Sequence, residues 1–266
     1  MLRYSIFDPT GNITALVESA VPDADRPAAA AKIMRLHPEV EQVGFVRGES
    51  LRMAGGEFCG NASMCAAALR VLNSGLACEG WTPLRLRVSG ASEPVELRLR
   101  AEGGERFTAE IQMPPALEIG AREFVFEDLR AALPLVRLEG ISHIVVREDA
   151  PFFALLHDRP RAERAVREFC GELGAEGLGL LFLEKSAGDC RMTPLVYIPG
   201  SGTVFWENSC ASGSAAVGMA LAKEAGAPVA LSLTEPGGVL TVRSDPRSGT
   251  VLCGTVRRRS RHEREF

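Results

Sequence analysis

The same short phrase occurs twice in this chain, half a chain apart. Glu57-Phe58-Cys59-Gly60-Asn61-Ala62-Ser63 runs into the apolar stretch Met64–Leu72, and Glu207-Asn208-Ser209-Cys210-Ala211-Ser212-Gly213-Ser214 runs into Ala215–Ala222. In each, a cysteine stands just before small and polar residues that open an alanine-rich helix. A thiol at a helix N-terminus has a lowered pKa, because the dipole and the free N–H groups favour thiolate. Two such thiols in two similar half-chains point to a site built between the halves, with one sulfur on each side of a substrate.

The flanking pattern supports two halves. Period-two alternation predicts strands over Tyr4–Phe7, Ile13–Val17, Gln42–Val46, Leu84–Val88, Val95–Leu99 and Phe107–Gln112. Helices fit Arg26–Leu36, which Pro38 would end, and Ser63–Leu72, stopped by Asn73-Ser74-Gly75. Met113-Pro114-Pro115 breaks the pattern. Strands then fit Ile141–Val146, Leu178–Leu183, Arg191–Ile198 and Val204–Phe205, and helices fit Phe126–Ala132, Arg161–Leu173 and Ser214–Ala225. The end returns to strands at Ala230–Thr234, Val239–Val242 and Val251–Val256. The expected division is residues 1–116, carrying Cys59, and 117–266, carrying Cys210.

Length and composition bound the function. The 266 residues, 46% hydrophobic and 24% charged, suit a soluble globular protein with room for two cores. A net charge of −4 and no basic face argue against nucleic acid. The one basic run, Arg257-Arg258-Arg259-Ser260-Arg261, is expected to be a solvated C-terminus. No apolar run is long enough for a membrane span, and Met1–Phe7 has no signal-peptide pattern, so a cytoplasmic protein with reduced thiols is expected. The seven cysteines include no Cys-x-x-Cys, and the four histidines lie far apart in sequence, so no metal site is expected. Lys32, Lys185 and Lys223 follow no phosphate-cradling loop and no Gly-x-Gly-x-x-Gly follows a strand, which disfavours pyridoxal phosphate and dinucleotides. No cofactor is implied.

Paired cysteines fit one kind of chemistry. A proton on carbon beside a carboxylate is a very weak acid, so its removal needs a close base and strong stabilisation of the charge that develops. Inverting the stereocentre needs a base on one face and an acid on the other. Thiolate and thiol are one group in two protonation states, so two cysteines serve both directions with roles exchanged. The backbone N–H groups of Gly60, Asn61 and Ala62, and of Ala211, Ser212 and Gly213, would form an anion site for a single carboxylate. A cysteine before a helix can instead be a small packed hydrophobe, and the pair could equally belong to a non-catalytic thiol/disulfide binding protein. Cys65, Cys78, Cys170, Cys190 and Cys253 lack the setting and read as structural.

Phe7-Asp8-Pro9-Thr10-Gly11-Asn12-Ile13-Thr14, Glu57-Phe58-Cys59-Gly60-Asn61-Ala62 and Asn208-Ser209-Cys210-Ala211-Ser212-Gly213-Ser214 together resemble the diaminopimelate epimerase superfamily of cofactor-independent, two-cysteine racemases and epimerases. The resemblance covers nearly the whole chain. It implies an α/β (α+β) fold of two similar domains, each a curved, mostly antiparallel sheet wrapped around a central helix. It also implies that the last strand, about residues 251–258, returns to the first domain. Gly56–Ala62, Tyr197-Ile198-Pro199, Trp206–Cys210, Pro236-Gly237-Gly238 and Glu41-Gln42-Val43-Gly44-Phe45 are similar to the branch of histidine racemases that serve opine-type, staphylopine-like metallophore synthesis. The implied reaction interconverts L- and D-histidine.

Departures from the superfamily pattern disfavour diaminopimelate. Where epimerases carry a Glu-Arg pair upstream of the second cysteine, this chain has Gly200-Ser201-Gly202. The positions of the family asparagines that hold the distal carboxylate fall near Leu178-Gly179 and in a shortened segment near Met53, where this chain lacks those groups. A second carboxylate would enter such a site unpaired, which costs several kcal/mol by the order of magnitude for a desolvated charge. Racemisation of another amino acid, diaminopimelate included, stays the alternative.

The resemblance places Asn12 and His143 in the site, where either could otherwise be a turn asparagine or a buried structural histidine. Glu207 could contact a substrate ammonium or imidazolium, or act with Asn208 as an ordinary helix-start acid and cap. Glu41 matches the branch motif and could also be a plain acid at a strand start. Phe58 and Trp206 could be core aromatics or substrate walls. The expected partner is a small amino acid, with neither nucleic acid nor membrane, and the resemblance also admits a homodimer.

Overall fold

The alanine-rich segments after the two cysteines become the helices around which each unit is built. In the computed structural model, which describes residues 1–75, 78, 80–186 and 189–265, the chain divides into two units. One comprises Met1–Gln112 with Cys253–Phe266, and the other Met113–Leu252. The fold is mixed α/β. Among the described residues no helix is long and apolar enough to cross a membrane.

The first unit runs β1 (Leu2–Pro9), β2 (Thr14–Val17), α1 (Arg26–Leu36), β3 (Gln42–Arg47), β4 (Ser50–Met53), α2 (Gly60–Ser74), β5 (Thr82–Val88), β6 (Val95–Gly103) and β7 (Arg106–Gln112). The chain continues as β8 (Glu118–Phe126), β9 (Leu129–Leu138), β10 (Ile141–Arg147), α3 (Arg159–Leu173), β11 (Leu178–Ser186), β12 (Asp189–Ile198), β13 (Thr203–Trp206), α4 (Ala211–Ala225), β14 (Val229–Glu235), β15 (Gly238–Asp245) and β16 (Gly249–Arg264).

In the first unit the strand order is β1–β2–β3–β4–β5–β6–β7–β16. β16 then pairs antiparallel with β1, from Leu2↔Arg264 to Pro9↔Val256, which closes an eight-strand barrel. The residues of α2 from Gly60 to Leu69 are all buried. A helix apolar on every face must be enclosed, and α2 packs against β1, β2, β4, β5, β6 and β7. Alanine suits this place because it has high helix propensity and little bulk. α1 covers the outer face, where Ala29, Ala30 and Ile33 join Tyr4, Ile6 and Phe45 in a second small core.

The second unit orders its strands β16–β15–β14–β12–β11–β10–β9–β8, with β13 alongside β12. α4 contacts β14 and β15 as well as β8, β9 and β10. A helix can reach strands from both parts of the order only if the sheet curls around it. α3 packs on the outer face over β11 and β12, where Phe124, Phe126 and Phe152 surround Phe169.

Two expectations are corrected. Phe126–Ala132 is not a helix: Phe126 pairs with Leu129 across a tight turn, and β8 and β9 form a hairpin. Its Leu, Ala, Glu and Arg favour helix, but burial alternates through Phe124, Phe126, Leu133 and Leu135, and packing on Phe169 overrides propensity. Arg161 and Arg164 of α3 pair with Glu127 at the turn, and Arg161 also pairs with Asp128. Likewise Arg257–Arg261 is not a solvated tail. It lies within β16, where Arg258 pairs with Glu105 and Arg259 with Asp8.

Candidate active site

Cys59 is the N-cap residue of α2, in extended conformation at φ −134° and ψ 109°. Its sulfur accepts the Ala62 N–H at 3.3 Å, so one donor of the first turn already points at it. The thiol donates to Gln42 Oε1 at 3.1 Å. A chain of hydrogen bonds fixes that amide. Gln42 Nε2 donates to Thr14 Oγ1 at 2.8 Å and to Asn12 Oδ1, and Asn12 Nδ2 donates to Glu41 Oε2 at 3.0 Å. Asn12 is buried beneath this network. The loop before Cys59 is held by the β5–β6 turn. Ser89 Oγ donates to the Glu57 carbonyl at 2.9 Å, and a Cβ on Gly90 would lie 2.2 Å from Phe58 N. Burial pushes the Glu57 carboxyl up.

Cys210 caps α4 in nearly the same conformation, φ −126° and ψ 99°. Its surroundings differ. The sulfur is buried, Ser212 Oγ lies 3.7 Å away, and among the described residues no N–H caps it. Burial foremost, then Glu207 and Glu235, pushes the Cys210 thiol up, against the lowering expected of a helix N-terminus. Desolvation and two carboxyls outweigh the dipole here. Glu235 is itself buried and pushed up to about 8, chiefly by desolvation, although it accepts hydrogen bonds from Cys210 N–H and Ser214 O–H.

The remaining sequence candidates fall around these two caps. Gly60 and Asn61 form the buried first turn of α2, and Ala211 and Ser212 that of α4. His143, on β10, has Nε2 3.0 Å from Ser212 Oγ. Burial holds this imidazole down at about 3, so it is neutral, and Nδ1 has no partner among the described residues. The ring lies across the neighbouring strand at Gly179, where a Cβ would come within 2.3 Å of Nδ1. Gly179 is thus the residue whose missing side chain makes room for His143. Glu207 is half-buried beside Cys210, while Asn208 is exposed and its carbonyl accepts the Gly237 N–H at 2.7 Å. Glu41 reaches the Cys59 network through Asn12. Phe58 is a core aromatic, and Trp206 stacks on Phe182 and donates to Glu163. Cys65 packs inside α2 near Thr14, and burial pushes its thiol up.

Sequence alone does not single out Gln42, Ser214 and Glu235. Gln42 carries a usable signal, a polar residue opening an otherwise apolar strand. Glu235, just before Pro236-Gly237-Gly238, resembles any acid at a turn. Each unit thus presents one thiol as the N-cap of a buried helix, and the Cys59 sulfur already accepts a first-turn N–H. That suits proton transfer beside a bound anion.

Known proteins resemble this chain in sequence and in fold. The sequence model of the family described as the histidine racemase CntK N-terminal domain matches residues 1–257. The histidine racemase of Fusobacterium nucleatum is 31% identical over 229 residues, covering 84% of this chain and 82% of that protein. The histidine racemase of Staphylococcus aureus is 27% identical over 228 residues, 82% of this chain and 79% of its own. In fold, the crystal structure of a probable proline racemase from Agrobacterium radiobacter with bound carbonate matches with a TM-score of 0.74 at 13% identity, over 100% of this chain and 93% of that one. Matched by that family model over nearly its whole length, the chain belongs to the histidine racemase CntK N-terminal domain family.

Proposed function

We propose that this protein is a cofactor-independent amino-acid racemase that interconverts L- and D-histidine, with Cys59 and Cys210 as its two acid–base groups. The observation that carries the reading is that each cysteine caps a buried helix in a chain belonging to a histidine racemase family. One thiolate removes the Cα proton and the other thiol returns a proton to the opposite face. The first-turn amides of Gly60 and Asn61, and of Ala211 and Ser212, face the substrate carboxylate and stabilise the charge that moves onto it. Glu207 takes the ammonium or the imidazole. Asn12 and His143 complete the site, with Glu41 orienting Asn12. The domains follow the diaminopimelate epimerase arrangement.

The same reading places the D-histidine in opine-type metallophore synthesis, supported by the branch motifs around Glu41 and Cys210. It places the protein in the cytoplasm, where a reducing environment keeps both thiols free. The superfamily resemblance extends to a homodimer, which light scattering checks. An opine synthase encoded beside this chain would support the metallophore role.

The test is solvent exchange. In heavy water each turnover of L-histidine places deuterium on Cα, and Cys59→Ser or Cys210→Ser lowers the rate by about 10²–10⁴-fold, the usual share of a general acid or base. Racemisation with the original proton retained over many turnovers rejects the two-base scheme. Inert histidine alongside another amino acid that racemises rejects the substrate assignment.

A further inference from the structure

The two helix caps are built alike and wired differently. In each unit a hairpin turn holds the loop that carries the cysteine. In the first unit the holding groups are neutral: the Ser89 hydroxyl bonded to the Glu57 carbonyl, and Gly90 pressed on the Phe58 amide. In the second, the turn between β14 and β15 supplies a carboxyl. Glu235 Oε2 accepts the Cys210 N–H at 2.6 Å, and its Oε1 accepts the Ser214 O–H at 2.5 Å. Gly237 N–H adds a third bond, to the Asn208 carbonyl at 2.7 Å.

The carboxyl of Glu235 is sealed from solvent and spans the first turn of α4, from the N-cap amide to the side chain four residues on. The ionisable groups that face it are Cys210 itself and Glu207, in the segment between β13 and α4. His143 reaches the same turn from β10 through Ser212 and is neutral. Of this buried pair the carboxyl ionises first, near pH 8, and once it has done so a thiolate at Cys210 would place a second negative charge in the same site without water. At the other cap the Cys59 sulfur meets neutral groups, the Ala62 N–H and the Gln42 amide.

We propose that Glu235 is a positioning residue for Cys210, fixing the capping loop through its two hydrogen bonds and holding Cys210 as the protonated partner of the pair. The inference rests on the reading of Cys210 as an acid–base group. It gives the two cysteines unequal resting states: Cys210 starts as the acid, and the base role falls first to Cys59. The racemase then has a preferred protonation state to which it must return after each turnover in the other direction.

The experiment follows the cysteine Cβ resonances in full-length protein labelled with 13C-cysteine, assigned with Cys59→Ser and Cys210→Ser, as pH is raised. Glu235→Gln keeps an acceptor for Cys210 N–H and a partner for Ser214 while removing the charge. In that variant the Cys210 titration is expected to move down by about one pH unit or more, with Cys59 unmoved and the melting temperature at pH 5 near that of the parent. Glu235→Ala, which loses the bonds too, is expected to lose most of its kcat. A parental Cys210 titration in folded Glu235→Gln overturns the proposal. The parent protein provides an independent measurement: Cys210 Cβ should show a separate inflection as Glu235 ionises near pH 8, absent at Cys59, and a single-step Cys210 curve also overturns it. The two readings fail separately. Racemisation by Cys210→Ser near the parental rate would sink the two-base reading, whereas an unmoved titration with Cys210→Ser strongly slowed would sink only the role of Glu235.

Discussion

His143 and Glu235 are buried in the same unit and perturbed in opposite senses, so the stability of the fold carries their signature. Burial holds His143 down at about 3 from an ordinary 6.5. An unfolded chain takes up that proton first, so stability falls as pH drops below about 6.5 toward 3. Glu235 is pushed up to about 8 from an ordinary 4.5. Its contribution is complete below the unfolded value and is lost as pH rises through that interval. Glu235→Gln should therefore gain stability relative to the parent between pH 5 and 8.5, on the order of a few kcal/mol, since a tenfold change in proton affinity is worth about 1.4 kcal/mol. Denaturant midpoints at the two pH values measure the gain, and an equal difference at both would contradict it. A second prediction concerns Gly179→Ala. The new methyl would meet His143 Nδ1 at 2.3 Å, and the ring lies between Gly179 of β11 and Ser212. The variant should lose about 1–3 kcal/mol and lose activity with the displaced imidazole, as read by denaturant unfolding and racemisation assays.

Among the elements, the turns that clamp the cysteine loops are the sensitive points. Gly90 has φ +69° and packs on the Phe58 amide, whereas Gly48 has φ +59° and open space around it. Gly90→Ala combines backbone strain with a clash. It should cost clearly more than Gly48→Ala, whose penalty is the strain alone, about 1 kcal/mol, and only Gly90→Ala should lower kcat. Equal losses in both would mean that the clamp does not position Cys59. Which elements are legible in the sequence follows from how local their causes are. α1 is legible to the residue because Pro38 and its own composition bound it. The two capping cysteines are legible because cysteine, small polar residues and an alanine run form a pattern complete within the cap and the helix it opens. The β8–β9 hairpin is not, because the ring of Phe169 that decides it is distant in sequence. β16 hides its periodicity, since its arginines find distant carboxylates, Arg258 that of Glu105 in the β6–β7 turn and Arg259 that of Asp8 on β1. Gln42 and Glu235 become site residues only through partners that folding brings to them, Cys59 and Cys210. The raised pKa of Cys210 is likewise hidden in the sequence, because it comes first from burial and then from Glu207 and from Glu235, which folding brings in from β14.

At the scale of the molecule, the strand that closes the first barrel is the last one in the chain. β16 pairs with β1 along its length, and Val256 at the start of that seam is fully buried. Ending the chain after Thr255 should leave β1 with an unpaired edge and α2 uncovered on one side. The expected result is loss of amide-exchange protection in β1 and β2 and aggregation of the product, while the strands of Met113–Leu252 keep theirs. Full protection of β1 in the truncated chain would show that the seam is dispensable. The closure has a further consequence for biosynthesis. A ribosome delivers the residues of the first unit up to Gln112 early, yet that unit must wait for Cys253–Phe266. The segment Met113–Leu252 is complete first, so the half synthesised second can finish folding before the half synthesised first. During that wait the barrel around the helix behind Cys59 lacks its closing strand, and β1 has an open edge.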